Sequence, residues 1–121
     1  MLHSCLKTVR LRSVLSAIGL ASLVGVAASM PAAAAPAKAQ TVQIRNFAFA
    51  PALLVVARGT TVTWTNADED PHTVTASNKA FHSAALDTGN RYSFTFNTPG
   101  EFAYFCSLHP HMIGKIVVKA N

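Results

Sequence analysis

From residue 41 onward the chain consists of short runs in which apolar and polar residues alternate, with Gly, Pro, Asn or Asp between runs. The clearest run is 61–65, which puts Val62 and Trp64 on one face and threonines on the other. A period of two residues is typical of strands buried on one face, and several short strands between turns indicate a β-sandwich or barrel. No segment of this part keeps a helical period over any length. The sequence therefore predicts one all-β domain.

The strands follow from these runs and from the turn residues that separate them. They are expected at 42–44, 47–49, 53–57, 61–65, around Val74, and at 92–96, 102–106 and 115–119. The stretch 78–87 has no clear period, and it predicts either a crossing loop or a short irregular edge. The sequence contains no internal repeat and no sign of a second domain.

The N-terminal segment has the order of positive charge, apolar core and small residues that is typical of a secretory signal peptide. Lys7, Arg10 and Arg12 precede the apolar run 14–28, and small residues with Ala-x-Ala sequences crowd 32–39. A membrane anchor is the competing interpretation. The apolar run is about 15 residues long and is interrupted by serine and glycine, whereas a spanning helix needs about 20 apolar residues. The pattern therefore favours a cleaved signal over a retained anchor.

Three parts of the chain are predicted on this basis. A signal peptide occupies 1–35, with a cleavage site that could extend to 39, a disordered lead-in covers 36–40, and the domain covers 41–121. Export would place the domain in the periplasm, without stable membrane association after cleavage. From Lys38 onward there are seven Lys and Arg and five Asp and Glu, with no basic cluster, so nucleic-acid binding is not expected.

Cys106 is the only cysteine of the expected domain, because Cys5 lies before the apolar run and would leave with the signal. Exported domains this small are usually stabilised by disulfide bonds, and a single cysteine cannot form one within its own chain. A lone thiol in an oxidising compartment is a liability unless something occupies it. A metal ion would occupy the thiol and would also stabilise a small fold that binds it. The sequence therefore predicts a metal ligand at this cysteine.

Three soft or borderline metal ligands, Cys106, His109 and Met112, fall within seven residues directly after a predicted strand. His72 lies at the start of another strand and supplies a fourth ligand. Each residue taken alone has an ordinary explanation, as a buried thiol, a surface histidine or a core methionine. Together they form the set of two imidazoles, one thiolate and one weak axial thioether that holds copper in blue-copper electron-transfer sites. The sequence therefore predicts one type 1 copper ion bound by these four side chains.

Several neighbouring residues are expected to have lesser roles. Thr73 and Ser107 flank two of the ligands and are expected to donate hydrogen bonds around the site. His111 is expected at the surface beside the site, and His82 is expected to be an ordinary exposed side chain. The acidic turn 68–70 is expected to be a solvated loop. Seven aromatic residues are expected to separate the metal from bulk water: Phe47, Phe49, Trp64, Phe94, Phe96, Phe102 and Tyr104.

At these residues the chain resembles the cupredoxins, and within them the amicyanin and pseudoazurin-like group, over about 42–118. Two residues separate Cys106 from His109 and two separate His109 from Met112, as in the short ligand loop of amicyanins. The residues that carry the likeness are 59–66, Asp68 and 71–74 in the first ligand region, and 100–106, His109, Pro110, Met112 and Gly114 in the second.

The resemblance implies a Greek-key β-sandwich with copper near one end, where His109 lies exposed in an apolar patch as the port for electrons. It implies a monomeric electron carrier whose partners are redox proteins, a dehydrogenase and/or a c-type cytochrome. Amicyanins usually carry proline and an aromatic residue where this chain has Leu108 and His111. The amine-dehydrogenase partner of amicyanins is therefore not carried over to this chain.

Other functions are compatible with parts of this pattern. Copper storage or delivery is the main alternative. Carriers of that type often use Met- and His-rich motifs without a thiolate, so Cys106 argues against this function. His111 and His82 leave the alternative open. A structural zinc site matches less well because methionine is a poor zinc ligand. A fragment of a multicopper oxidase is not expected, since the chain has its own signal and no second ligand set. All four ligand positions are filled by protein, so an enzyme is not expected.

Overall fold

The computed structural model of the chain describes residue 25, residues 27–30 and residues 38–120. Its strands are β1 Ala39–Arg45, β2 Ala48–Ala50, β3 Leu53–Ala57, β4 Thr60–Asn66, β5 Thr75–Ala76, β6 Arg91–Phe96, β7 Gly100–Phe105 and β8 Ile113–Lys119. No helix in the described part of the chain is long and apolar enough to cross a membrane. Apart from 25 and 27–30, the expected signal peptide lies outside the described residues. The all-β prediction is confirmed for residues 38–120.

The strands form two sheets that enclose one core. One sheet has the order β2-β1-β4-β6, and the other has the order β3-β8-β7-β5. The pairs β1–β4 and β3–β8 are parallel, whereas the other neighbouring pairs are antiparallel. Trp64 of the first sheet contacts Tyr104 of the second, with ring centroids 5.5 Å apart. Two packed sheets between which the chain alternates from β2 to β7 fit the Greek-key sandwich that the resemblance implies.

The alternation read from the sequence of β4 is present in the structure. Val62 and Trp64 are fully buried, and an aromatic side chain of this kind removes about 150–250 Å² of surface from water. The opposite face of the strand carries hydroxyl groups, and Thr63 Oγ1 lies 2.7 Å from Ser93 Oγ of β6. One face of this strand therefore builds the core, while the other links neighbouring strands through side-chain hydrogen bonds.

Several strand boundaries differ from the sequence prediction, and the starts of β1 and β2 have clear structural reasons. β1 begins at Ala39, which pairs with Thr61 of β4, so the last two residues of the predicted lead-in 36–40 belong to a strand. β2 begins at Ala48, because Phe47 has a φ of 53° and lies in a turn. Backbone conformation and strand pairing set both boundaries. The alternation of apolar and polar side chains in the sequence does not reveal either of them.

The irregular stretch 78–87 contributes to the core and runs as a short irregular edge, with isolated antiparallel bridges from His82 to Thr75 and from Leu86 to His72. Phe81 is only 4% exposed, and its ring centroid lies 5.7 Å from that of Trp64. Ser83 is also buried, and its Oγ accepts a hydrogen bond from the backbone N–H of Val74 at 2.8 Å. This stretch therefore closes the side of the sandwich where β5 is only two residues long.

The topology brings two ligand-bearing segments together. Cys106 follows β7 directly, and the loop that begins there returns to β8, whose first residue, Ile113, pairs with Phe105. His72 forms an antiparallel bridge with Leu86 shortly before β5. β5 in turn pairs with β7. The segment that carries the buried histidine is therefore next to the strand that leads into the cysteine.

Candidate metal centre

Three of the four predicted ligands converge on one point. His72 Nδ1 lies 3.8 Å from Cys106 Sγ, and His109 Nδ1 lies 3.7 Å from the same sulfur. The two Nδ1 atoms are 3.2 Å apart, and the ligand atoms all lie within 4.8 Å of one another. His72 and Cys106 are fully buried, whereas His109 is partly exposed. The cluster is therefore enclosed by protein, with His109 on its solvent side.

The segment from Cys106 to Met112 is closed on itself by backbone hydrogen bonds. Cys106 N–H donates to the Met112 carbonyl at 3.1 Å, and Met112 N–H donates to the His109 carbonyl at 2.9 Å. Met112 is only 2% exposed, so its side chain is buried in the interior. These bonds fix the three loop residues relative to one another.

Thr73 connects the two ligand segments around the sulfur. Its backbone N–H lies 3.3 Å from Cys106 Sγ, whereas its hydroxyl is farther away, at 4.0 Å. The hydroxyl accepts the backbone N–H of Ser107 at 2.7 Å and lies 2.8 Å from Ser107 Oγ. A hydrogen bond to the sulfur tunes the potential of a metal bound there. Thr73 and Ser107 therefore lie beside the site as expected. The nearest donor to the Cys106 sulfur, however, is the backbone N–H of Thr73 and not a side-chain hydroxyl.

The sequence prediction for Asp68 is wrong. The acidic turn was expected to be a solvated loop, and Glu69 and Asp70 are exposed, but the Asp68 side chain is only 13% exposed. Asp68 Oδ2 accepts a hydrogen bond from His72 Nε2 at 2.9 Å. Because a carboxylate only accepts, the proton lies on Nε2, and Nδ1, which faces Cys106, is free to bind a metal.

The same carboxylate holds the turn at Asn46 and Phe47. The backbone N–H of Asn46 donates to Oδ1 at 2.6 Å, and that of Phe47 donates to Oδ2 at 2.9 Å. Burial alone would raise the pKa of Asp68, but these N–H groups and the His72 ring together hold the pKa below its ordinary value. The carboxylate therefore stays ionised at neutral pH, and its hold on His72 is lost only as the pH falls through that lowered pKa.

Asn66 orders the backbone of the acidic turn. It is fully buried, and its side-chain amide donates to the carbonyl oxygens of Asp70 and Leu86, both at 2.8 Å. Its Oδ1 accepts the backbone N–H of Asp68 at 2.9 Å. An asparagine that bonds the backbone two residues further on forms an Asx turn. The asparagine at position 66, just before the acidic turn, is therefore the sequence signal for an ordered turn here.

The other predicted residues divide between the surface and the core. His111 is exposed, with its ring centroid 6.4 Å from that of His109, and His82 is also exposed. Of the seven aromatic residues, Phe47 packs against the rings of His72 and His109. The other six form one connected cluster of rings in the interior. Phe47 is therefore the main aromatic residue that separates the candidate ligands from water.

The donor set fits copper better than zinc. Thiolate and thioether sulfur favour Cu(I), and imidazole serves both oxidation states of copper. Structural zinc sites use four Cys or His ligands, whereas the buried candidate for a fourth ligand here is Met112. The two Nδ1 atoms and the single Sγ atom already face one another, with His72 held in the right tautomer by Asp68. The residues present are therefore those that a single copper ion requires.

Removing the charge of Asp68 is expected to weaken metal binding. Asp68→Asn should lower the affinity for Cu(I) about 10- to 100-fold, the range found when the partner of a ligating histidine is changed. Asp68→Ala should cost more, since the amide can still accept the His72 hydrogen bond. Competition with a chelator measures the affinity, and Glu69→Gln, at an exposed neighbour, is the control. Equal affinities in Asp68→Asn and Glu69→Gln would show that the bond does not orient His72.

The sequence of the chain matches a known family. The profile of the cupredoxin-like domain family matches residues 18–118. Amicyanin-alpha of Methylorubrum extorquens is 36% identical to the chain over 90 residues, which cover 70% of this chain and 76% of that protein. The profile match includes the whole segment from His72 to Met112 that carries the four predicted metal ligands.

Two solved structures share the fold, and with the sequence matches they identify the family. A purple cupredoxin from Nitrosopumilus maritimus has a TM-score of 0.62 and 32% identity, over 66% of this chain and 99% of that one. A copper-containing nitrite reductase from Thermus scotoductus has a TM-score of 0.65 and 34% identity, over 72% of this chain but 23% of that one. The likeness to the reductase is therefore a likeness to one part of it. The family profile covers most of the chain, and the chain belongs to the cupredoxin-like family.

Proposed function

We propose that this protein is a blue-copper electron carrier, which holds one copper ion through His72, Cys106, His109 and Met112 and passes single electrons between redox proteins. The observation that carries the proposal is the convergence of two imidazole Nδ1 atoms and one thiol sulfur within 4.8 Å. Met112, in the same short loop, is buried. The similarity to an amicyanin and to a purple cupredoxin supports the same function.

The contribution of the chain is to keep the donors nearly still during electron transfer. Bound copper would supply the one-electron couple between Cu(I) and Cu(II). Asp68 fixes the His72 ring through Nε2, and the Thr73 N–H fixes the environment of the Cys106 sulfur. A site whose ligands are held by such partners needs little rearrangement when the charge of the metal changes. The hydrogen bond to the sulfur also contributes to the potential.

His109 is the proposed port through which electrons enter and leave. Its ring is partly exposed, whereas His72 and Cys106 are fully buried. Phe47, which packs on this ring, is 42% exposed, and the neighbouring Leu108 is 50% exposed. Apolar side chains around an exposed ligand allow a partner to approach without removing charged groups from water. A redox partner, such as a dehydrogenase or a c-type cytochrome, would dock at this end of the domain.

A carrier is a better match than an enzyme, because four protein ligands leave no position for a substrate.

The periplasm is the proposed compartment, and the support for it is the signal-like order of charged, apolar and small residues at the N-terminus. The proposed form is a monomer without stable membrane association.

The visible spectrum of the Cu(II)-loaded protein tests the proposal. A carrier is expected to show an intense thiolate-to-copper charge-transfer band that disappears on reduction and returns on reoxidation, with the metal bound throughout. Metal content after gel filtration of the reduced protein measures the retention. A colourless Cu(II) protein, or one that releases copper on reduction, would contradict the carrier function and favour copper storage or delivery.

A further inference from the structure

Asn46 and Phe47 have an unusual backbone conformation beside the metal site. Their φ angles are 52° and 53°, in the left-handed region that is uncommon for residues other than glycine and rare for a bulky side chain. Such a conformation is unfavourable by itself and persists only where the surrounding structure holds it. The two residues form the two-residue hairpin turn between β1 and β2, in which both central residues have positive φ and glycine is preferred, so a phenylalanine at the second place is unfavourable by itself.

The Asp68 carboxylate holds the strained turn in place. It accepts the backbone N–H groups of Asn46 and Phe47 at 2.6 and 2.9 Å. Its Oδ2 also accepts the hydrogen bond from His72 Nε2 at 2.9 Å. One carboxylate therefore ties the backbone of the turn to a buried imidazole, and the position of the Phe47 ring is coupled to that of His72.

The turn places the Phe47 ring against both imidazoles. Its centroid lies 5.3 Å from that of His72 and 5.1 Å from that of His109, with interplanar angles of 87° and 89°. Perpendicular contacts at such separations are favourable and directional. The two imidazoles are themselves 5.0 Å apart at 60°, so the three rings form one packed group. Because Phe47 remains 42% exposed, its own burial does not account for the strained backbone.

We propose that Phe47 is a positioning residue, whose ring is held by the left-handed turn so that both imidazoles are oriented before the metal binds. His109 depends on it most. That ring is partly exposed, and no carboxylate of residues 38–120 holds it as Asp68 holds His72. The inference deepens the proposed function and rests on it for copper as the metal, while the orientation of the rings is a property of the metal-free chain.

Phe47→Gly separates the role of the ring from that of the backbone. Glycine adopts a positive φ without strain, which offsets the loss of a partly exposed ring, so the metal-free protein should keep its Tm within about 4 °C. The affinity for Cu(I), measured by competition with a chromophoric chelator, should fall about tenfold, the low end for residues that orient a ligating histidine. In the metal-free protein, the imidazole ¹⁵N signals of His109 should broaden or double.

Asn46→Gly is the matched control, because it relieves the same turn and keeps the ring. Its affinity for Cu(I) should stay within about twofold of the wild type, and its His109 signals should stay sharp. Phe47→Leu keeps apolar volume without the ring edges, and it should weaken binding less than Phe47→Gly. The leucine variant also decides the question if the glycine variant fails to fold.

Two results would overturn the proposal. Wild-type affinity and sharp His109 signals in Phe47→Gly and Phe47→Leu would mean that Phe47 only covers the site. Equal losses in Asn46→Gly and Phe47→Gly would assign the effect to the turn backbone instead of the ring. The NMR measurement uses no metal, so it decides the role of Phe47 even if the wild-type protein lacks the charge-transfer band. Absence of that band would end the electron-carrier proposal alone.

Discussion

Replacing Cys106 by serine is expected to abolish the intense visible band of the Cu(II)-loaded protein. The band arises from charge transfer from a thiolate to the metal, and a serine hydroxyl is a hard donor that stays protonated at neutral pH. Cys106 is the one free cysteine of the described residues, and two imidazole Nδ1 atoms lie 3.8 and 3.7 Å from its sulfur. The affinity for Cu(I) should fall by more than about 100-fold, beyond the range for residues that only orient a ligand. Absorption spectra and chelator competition measure the two effects.

Ser107→Ala is the matched control for this substitution. It removes a hydroxyl that lies 2.8 Å from Thr73 Oγ1, but it keeps the backbone N–H that donates to the same oxygen. The intense band should therefore remain in Ser107→Ala. A Cys106→Ser protein that kept the band would place the copper elsewhere, and it would contradict the assignment of all four ligands.

The candidate ligands could be picked out from the sequence because three of them are local. Cys106, His109 and Met112 lie within one short loop between β7 and β8, and paired strands on both sides keep such a loop compact. His72 could be predicted as a residue type in a suitable motif, but its distance from the sulfur depends on the fold. It reaches Cys106 because β5 pairs with β7.

Thr73 and Ser107 could be predicted beside the candidate ligands, but the role of Asp68 could not, because its carboxylate is held by contacts with a distant segment of the chain. Asp68 bonds the backbone of Asn46, 22 residues earlier in the chain, and no local pattern reports such a contact. Alternation predicted a strand residue at Phe47, whereas the structure has a left-handed turn there. Phe81 is buried in a stretch without any period. Periodicity reports which face of a strand is buried, and it carries no information about turns and irregular edges.

Gly114→Ala is expected to destabilise the fold by about 3 kcal/mol, the upper end for overpacking a core, and to lower the Tm by roughly 12 to 24 °C. A Cβ atom at Gly114 would overlap Cζ of Tyr104 and lie 2.5 Å from its hydroxyl oxygen, so one of the two residues must move. Thermal unfolding of the metal-free protein, followed by circular dichroism, measures the loss.

Tyr104 has no room to yield to the added methyl group. It is 1% exposed, and its ring centroid lies 4.7 Å from that of Phe49 and 5.5 Å from that of Trp64. Burial raises the pKa of Tyr104 to about 12, so the phenol stays neutral in the core. Tyr104 and Gly114 are direct partners in the β7–β8 register. The two strands must therefore separate, and the ligand loop that begins at Cys106 would move with them.

A double substitution decides whether the ring is responsible. Leucine at position 104 is smaller and lacks the hydroxyl, which has no hydrogen-bond partner among the described residues, so Gly114→Ala should cost less than about 1 kcal/mol in Tyr104→Leu. Gly89→Ala is the control for backbone effects. Gly89 has a φ of 82° and open space around its Cβ position, so it should cost about 1 to 2 kcal/mol from conformation alone. Equal costs of Gly114→Ala with tyrosine and with leucine at position 104 would mean that the strand backbone excludes the methyl group. The ring would then have no part in coupling this position to the ligand loop.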